Sequence, residues 1–254
     1  MIRRGRLRRA SDVGQADFEH YLAGVQAGGA GTIAFFDLDR TLIAGYSVTA
    51  LAWERMRSGS VSVRRFLSSA GVLLGYGLGR ADYHELLTTT VRDLAGLSEQ
   101  AMTELGERAF RQRVQGWIYP EARRLVDSHR RAGHAVFIVT SATRYQAAPV
   151  ARELGVDGLC CTEIEVENGR VTGLALPCFG VGKLKAAQHV AGEHRTDLQA
   201  ATFYSDSSDD LPLLEAVGRP VVVNPKATLA RLAGQRGWPT LVFDPPAIQR
   251  SAAA

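Results

Sequence analysis

Cysteine is scarce in this chain: three in 254 residues, with Cys160 and Cys161 adjacent and Cys178 further on. That spacing offers neither a disulfide framework nor a zinc site, and the adjacent pair reads as small apolar residues on a buried strand. Long hydrophobic runs are missing as well. The longest apolar-leaning stretch, residues 66–78, is too short and too rich in Gly and Ser to span a bilayer, so no stable membrane insertion is expected. The basic start has no apolar stretch and no small-residue cleavage site behind it, so it does not read as a secretory signal, and the cytoplasm is the expected compartment. The body also lacks an excess of one charge. The net charge is +4, but Arg3, Arg4, Arg6, Arg8 and Arg9 carry it. A charged cluster in a short arm reads as a solvated tail, and no nucleic-acid partner is expected. Internal repeats are absent.

What is present is 46% apolar and 22% charged, ordinary for a globular protein and long enough for an α/β core with a smaller accessory unit. Residues 1–30 are expected to be a basic N-terminal tail carrying one short helix. Residues 32–36 form a short run apolar on both faces, which suits a central strand covered by helices on both sides. From residue 46 to 115 the pattern turns helical, with segments at 48–56, 63–74, 81–94 and 98–114 and Ser98 as a cap.

Strand–helix alternation resumes after Pro120. A helix over 121–132 leads to a strand over 134–139 that is expected to stop at Thr140-Ser141, and a helix over 147–154 ends at Gly155. Residues 162–166 and 170–174, joined through Asn168-Gly169, form a hairpin. A helix over 183–191 and strands over 201–205 and 220–223 follow. Such alternation predicts an α/β fold with a doubly wound parallel sheet. The expected division is 31–45 with 116–254 as a catalytic core, and 46–115 as a helical cap inserted after the first strand.

Polar residues follow three of these strands directly: Asp37 and Asp39, Ser141, and Asp206. In open α/β sheets ligands bind beyond the carboxyl ends of the strands, so these groups would converge on one site. Asp37 and Asp39 could bind Mg²⁺ through oxygen, attack phosphorus or move a proton; alone, the pair also reads as turn and capping residues. Ser141 alone reads as a cap. Lys183 opens a helix, where a positive charge opposes the dipole, so it either faces an anion or is a solvated surface lysine. Asp206, Asp209 and Asp210 are crowded enough to repel each other unless a cation sits among them.

With these four stretches in order, residues 36–41, 139–141, Lys183 and 205–210, the sequence resembles the haloacid dehalogenase superfamily, in its phosphoserine-phosphatase-like branch. The resemblance spans about residues 32–225, and it implies a phosphatase acting on a small phosphorylated metabolite. It implies that Asp37 is the nucleophile, that Asp39 is the general acid and then base, and that Thr41 orients the loop. Ser141 and the Ala142 N–H would hold phosphoryl oxygens, and Lys183 would balance charge. Mg²⁺ would bind the Asp37 and Asp206 carboxylates and the Asp39 carbonyl, with Asp210 holding a metal water. The chain departs from the branch at three places. Arg40 replaces a small residue, Asp209 stands where asparagine is common, and Tyr46 stands where phosphoserine phosphatases carry a glutamate for the substrate ammonium. Alternatives within this reading are phosphoserine or a lipid-like phosphate as substrate, and a non-catalytic binding module on the same fold.

Overall fold

The computed structural model describes residues 15–27, 31–59 and 83–246. The arginine cluster, the apolar stretch at 66–78 and the helix expected at 63–74 lie outside them. The described elements are α1 (Gln15–Ala27), β1 (Ile33–Phe36), α2 (Ser47–Arg57), α3 (Tyr83–Arg92), α4 (Glu99–Gln112), α5 (Pro120–Arg131), β2 (Ala135–Thr143), α6 (Arg144–Leu154), β3 (Gly158–Glu167), β4 (Arg170–Leu176), α7 (Val181–Glu193), β5 (Thr202–Ser205), α8 (Leu211–Leu214), β6 (Arg219–Val223), α9 (Ala227–Arg236) and β7 (Thr240–Leu241).

The sheet order is β4-β3-β2-β1-β5-β6-β7. All neighbours are parallel except β3 and β4. Strand β1 is wholly buried and sits at the centre. Its side chains alternate between two cores: Ala34 and Phe36 pack with α5 and α6, whereas Ile33 and Phe35 pack with α7 and α9. That is the expected doubly wound arrangement. The chain winds from β1 to β2 and β3 on one side, then crosses to β5 on the other. The gap between β1 and β5 is therefore the point where the winding reverses.

Two expectations need correction. Residues 15–27 are not tail: α1 packs on α5, with Leu22 buried and Ser128 Oγ donating to the Leu22 carbonyl at 3.2 Å. Strand β2 does not stop at Thr140-Ser141 but runs to Thr143. Its register against β3 shifts between Val139 and Thr143, and the Ala142 N–H donates to Thr140 Oγ1 at 3.1 Å. The site residues of this strand thus lie in an irregular stretch and not beyond its end. The hairpin turn forms as expected, with Asn168 at φ 50° and Gly169 at φ 73°, both in the left-handed region that a two-residue turn demands.

The helical segments between β1 and α5 are tied to that hairpin by backbone bonds. The Gly96 N–H donates to the Val171 carbonyl at 2.8 Å, and the Val171 N–H donates to the Leu97 carbonyl at 2.9 Å. Helix α4 lies against α6 so closely that a Cβ on Gly106 would stand 2.0 Å from the Tyr145 carbonyl oxygen. Only glycine permits that approach.

Beneath α1 runs a buried polar chain. The Tyr21 and Tyr204 hydroxyls are 2.8 Å apart, Tyr204 meets His129 Nε2 at 2.8 Å, and His129 Nδ1 meets His134 Nδ1 at 2.8 Å. Burial, reinforced by His134 and Arg219, lowers the His129 pKa to about 3. The unfolded chain therefore takes up a proton below about pH 6.5 that the folded chain refuses. The sign follows: stability from this group is present above pH 6.5 and falls as pH drops, by about 2 kcal/mol between pH 7 and 5. We expect His129→Asn to be less stable at pH 7 but to lose correspondingly less between pH 7 and 5 in urea denaturation. Parallel losses in parent and variant would show that His129 is not the acid-sensitive group.

Candidate active site

Asp37 follows β1 directly, and its N–H extends the sheet ladder by donating to the Tyr204 carbonyl of β5 at 2.9 Å. Its carboxylate is buried and accepts from Lys183 Nζ at 2.7 Å. Lys183 lies in the first turn of α7 and is 3% exposed, so the surface-lysine reading fails. Its ammonium reaches a second carboxylate, Asp210 Oδ2, at 2.8 Å. The Ser205 hydroxyl donates to the same oxygen at 2.6 Å.

Burial alone would lower the Lys183 pKa, but Asp210 and Asp37 outweigh it and keep the ammonium charged. Asp37 is pulled both ways: burial and the neighbouring Asp210 and Asp206 raise its pKa, and Lys183 opposes them. The net direction is upward. Two carboxylates and one ammonium, all buried, form a tight electrostatic unit.

The loop after Asp37 is held by backbone bonds. The Leu42 and Ile43 N–H groups both donate to the Leu38 carbonyl, at 2.9 and 3.1 Å, and the Arg40 N–H donates to the Gly45 carbonyl at 3.3 Å. Asp39 Oδ1 accepts from the Ser47 N–H at the start of α2, at 2.8 Å. Burial pushes the Asp39 carboxyl up to about 7, with the Ser47 bond opposing the shift. A carboxyl poised there can both give and take a proton near neutral pH. Thr41 is buried, but its hydroxyl has no hydrogen-bond partner.

Asp206 follows β5 and pairs with Arg40, whose Nε lies 3.0 Å from Asp206 Oδ2. Burial raises the Asp206 pKa to about 6 against the pull of Arg40. Asp209 is exposed at the rim, where its N–H donates to Ser207 Oγ at 3.2 Å, outside the buried carboxylate–lysine unit. Ser141 is partly exposed, and its carbonyl accepts from Thr162 Oγ1 at 2.8 Å.

Among the described residues, no three His, Cys, Asp or Glu side chains gather closely enough to hold an ion by themselves. The expected metal set needs fewer: two carboxylates, Asp37 and Asp206, and the carbonyl of Asp39. Those are hard oxygen donors, and both carboxyls are raised by burial and by neighbouring negative charge. A hard dication suits such a donor set. Ser47 and Gln146 belong to none of the four stretches read from the sequence. Gln146 Nε2 donates to Ser47 Oγ at 3.1 Å, which braces the residue whose N–H holds Asp39. A lone serine beside a strand end has no mark distinguishing it from a cap.

The haloacid dehalogenase-like hydrolase family matches residues 34–215, all of the site included. The chain belongs to that family. Relatives of this hydrolase include a probable phosphatase of Mycobacterium tuberculosis, 34% identical over 219 residues, 85% of this chain and 76% of that one. A phosphoserine phosphatase of the same species is 32% identical over 81% of this chain and 68% of its own length. A histidinol-phosphatase of Neisseria meningitidis is 32% identical over 83% and 98%. A solved structure from Bordetella pertussis of a protein of unknown function superposes with a TM-score of 0.75 at 29% identity, covering 84% of this chain and 98% of that one.

Proposed function

We propose that this hydrolase is a Mg²⁺-dependent phosphomonoesterase acting on a small phosphorylated metabolite through an aspartyl-phosphate. One observation carries the reading: Lys183 bridges Asp37 and Asp210 at the winding reversal between β1 and β5. A buried nucleophile with a fixed counter-charge, next to a carboxyl with a pKa near 7, suits phosphoryl transfer, which is mostly positioning and charge stabilisation.

An oxygen of Asp37 attacks phosphorus as the bond to the leaving oxygen breaks, and Asp39 gives that oxygen its proton. Asp39 then takes a proton from water, whose oxygen attacks phosphorus and releases Asp37 and inorganic phosphate. Lys183 offsets charge that grows on the phosphoryl oxygens. Ser141 and the Ala142 N–H bind those oxygens, the latter by exchanging its bond to Thr140. Asp37, Asp206 and the Asp39 carbonyl would hold Mg²⁺, which supplies charge neutralisation at the phosphoryl group. Asp210, committed to Lys183 and Ser205, would act on the ion only at a distance.

Residues 31–45 and 116–254 serve as the catalytic core in this reading, with 46–115 as the cap that faces the leaving group. Within 46–115, Tyr46 and Trp53 are 41% and 43% exposed, and the Arg113 guanidinium lies 4.5 Å from the Trp53 ring centre. Tyr46 carries no negative charge to match an ammonium, and its ring favours an uncharged leaving group. We therefore place phosphoserine below neutral esters as a substrate.

Phosphate release over a metabolite panel tests both statements. Activity should vanish in EDTA and return with Mg²⁺, and Tyr46→Glu should raise kcat/KM for phosphoserine relative to a neutral ester. Full turnover in chelator would remove the metal. A parent enzyme that prefers phosphoserine tenfold over every neutral ester would remove the role of Tyr46.

A further inference from the structure

Arg40 lies beside the reacting groups, and the mechanism above gives it no task. Its backbone is left-handed, at φ 62°, a conformation that costs a side-chain-bearing residue energy and that glycine or asparagine adopts more readily. A bulky cationic residue in that position needs compensation, and its side chain shows where it comes from. Nε lies 3.0 Å from Asp206 Oδ2, across 166 residues of chain.

The contact is single, not forked, and its two ends differ: the Arg40 side chain is 33% exposed, that of Asp206 only 7%. The carboxylate is fixed in the protein, while the guanidinium reaches it from the solvent edge. Lys183 is different, being buried and held by two carboxylates. Of the two cations at the site, only Arg40 can leave towards water without vacating a buried position.

We propose that Arg40 is a tethered cation that competes with the metal for Asp206, so that it weakens Mg²⁺ binding while supporting the chain when no ion is bound. The inference rests on the proposed metal role of Asp206. Four aspartates, Asp37, Asp39, Asp206 and Asp210, stand against Lys183 and Arg40. Removing Arg40 changes that balance by a full charge at the carboxylate through which the ion would be held. Oxygen-ligand affinity for a divalent ion follows the charge of its ligands. Arg40 also differs from a neighbour that merely orients a ligand. Its guanidinium lowers the basicity of the Asp206 carboxylate and repels the ion.

The test is direct binding of Mg²⁺ to the full chain without substrate, by titration calorimetry, in the parent, Arg40→Asn and Arg40→Lys. Asparagine tolerates the left-handed backbone and removes the charge; lysine keeps the charge on a flexible stem. We expect Arg40→Asn to bind Mg²⁺ roughly tenfold more tightly and Arg40→Lys to stay within about threefold of the parent. In EDTA, Arg40→Asn should melt below the parent, and saturating Mg²⁺ should close that gap. A parent that binds Mg²⁺ while Arg40→Asn binds it equally or more weakly overturns the inference and leaves the metal reading standing. A parent and variant that both fail to bind Mg²⁺ at millimolar concentration overturn both.

Discussion

Asp37→Asn should abolish phosphate release, with a loss of at least about a thousandfold, while the protein remains folded. The amide is nearly the shape of the carboxylate but is a far poorer nucleophile and a poor ligand for a hard cation. The fold should survive because what Asp37 gives the sheet is backbone: its N–H bonds to Tyr204 of β5 at 2.9 Å whatever the side chain. Lys183 keeps Asp210 as a partner, so the change does not strand a buried ammonium. Steady-state phosphate release beside a thermal melt separates the two effects. Turnover above a few per cent of the parent with an unchanged melt would take the nucleophilic role away from Asp37, and a collapsed melt would make it structural.

Asp37, Ser141 and Asp206, from which the site was first read in the sequence, share one physical property: each is a polar residue adjacent to a buried apolar strand. Asp37 after 33–36 and Asp206 after 202–205 announce themselves because a carboxylate at the end of a fully buried run needs a reason to be there. The sheet was legible for the same reason, since strands covered on both faces have no polar alternation. Contacts made across the chain were not legible. Arg40 meets Asp206 across 166 residues, and nothing near either residue marks the other as its partner. The short helix in residues 1–30 is legible, but its docking is not, because it depends on Tyr204, 183 residues away, and on α5. The attachment of the helical insertion to the β3–β4 hairpin runs through main-chain atoms of Gly96, Leu97 and Val171, and main-chain bonds leave no side-chain pattern that names the partner. The Thr140–Ala142 irregularity arises from a threonine hydroxyl capturing a nearby N–H, a local competition with the ladder that threonine's strand preference conceals.

Lys183→Met separates what the buried unit does for stability from what it does for catalysis. Methionine fills a similar volume, so the buried space stays filled, but Asp37 and Asp210 then face each other with no cation between them. Breaking a buried pair by removing one partner costs about 3–5 kcal/mol. We expect that loss in urea denaturation with EDTA present, so that no added ion substitutes for the ammonium. Activity with Mg²⁺ should fall by at least about a thousandfold, because the charge developing on the phosphoryl oxygens loses a preorganised partner. Lys183→Met combined with Asp210→Asn distinguishes the two losses. Removing the second anion relieves the repulsion, and the Ser205 hydroxyl, 2.6 Å from Asp210, still has an acceptor in the amide oxygen. The double variant should therefore recover most of the stability and none of the activity. If it recovers both, Lys183 serves only to hold the carboxylates together, and the charge balance in phosphoryl transfer comes from elsewhere. If the single variant is as stable as the parent, Asp37 and Asp210 do not both carry charge in the folded chain, and the buried ion-pair account of this site fails with it.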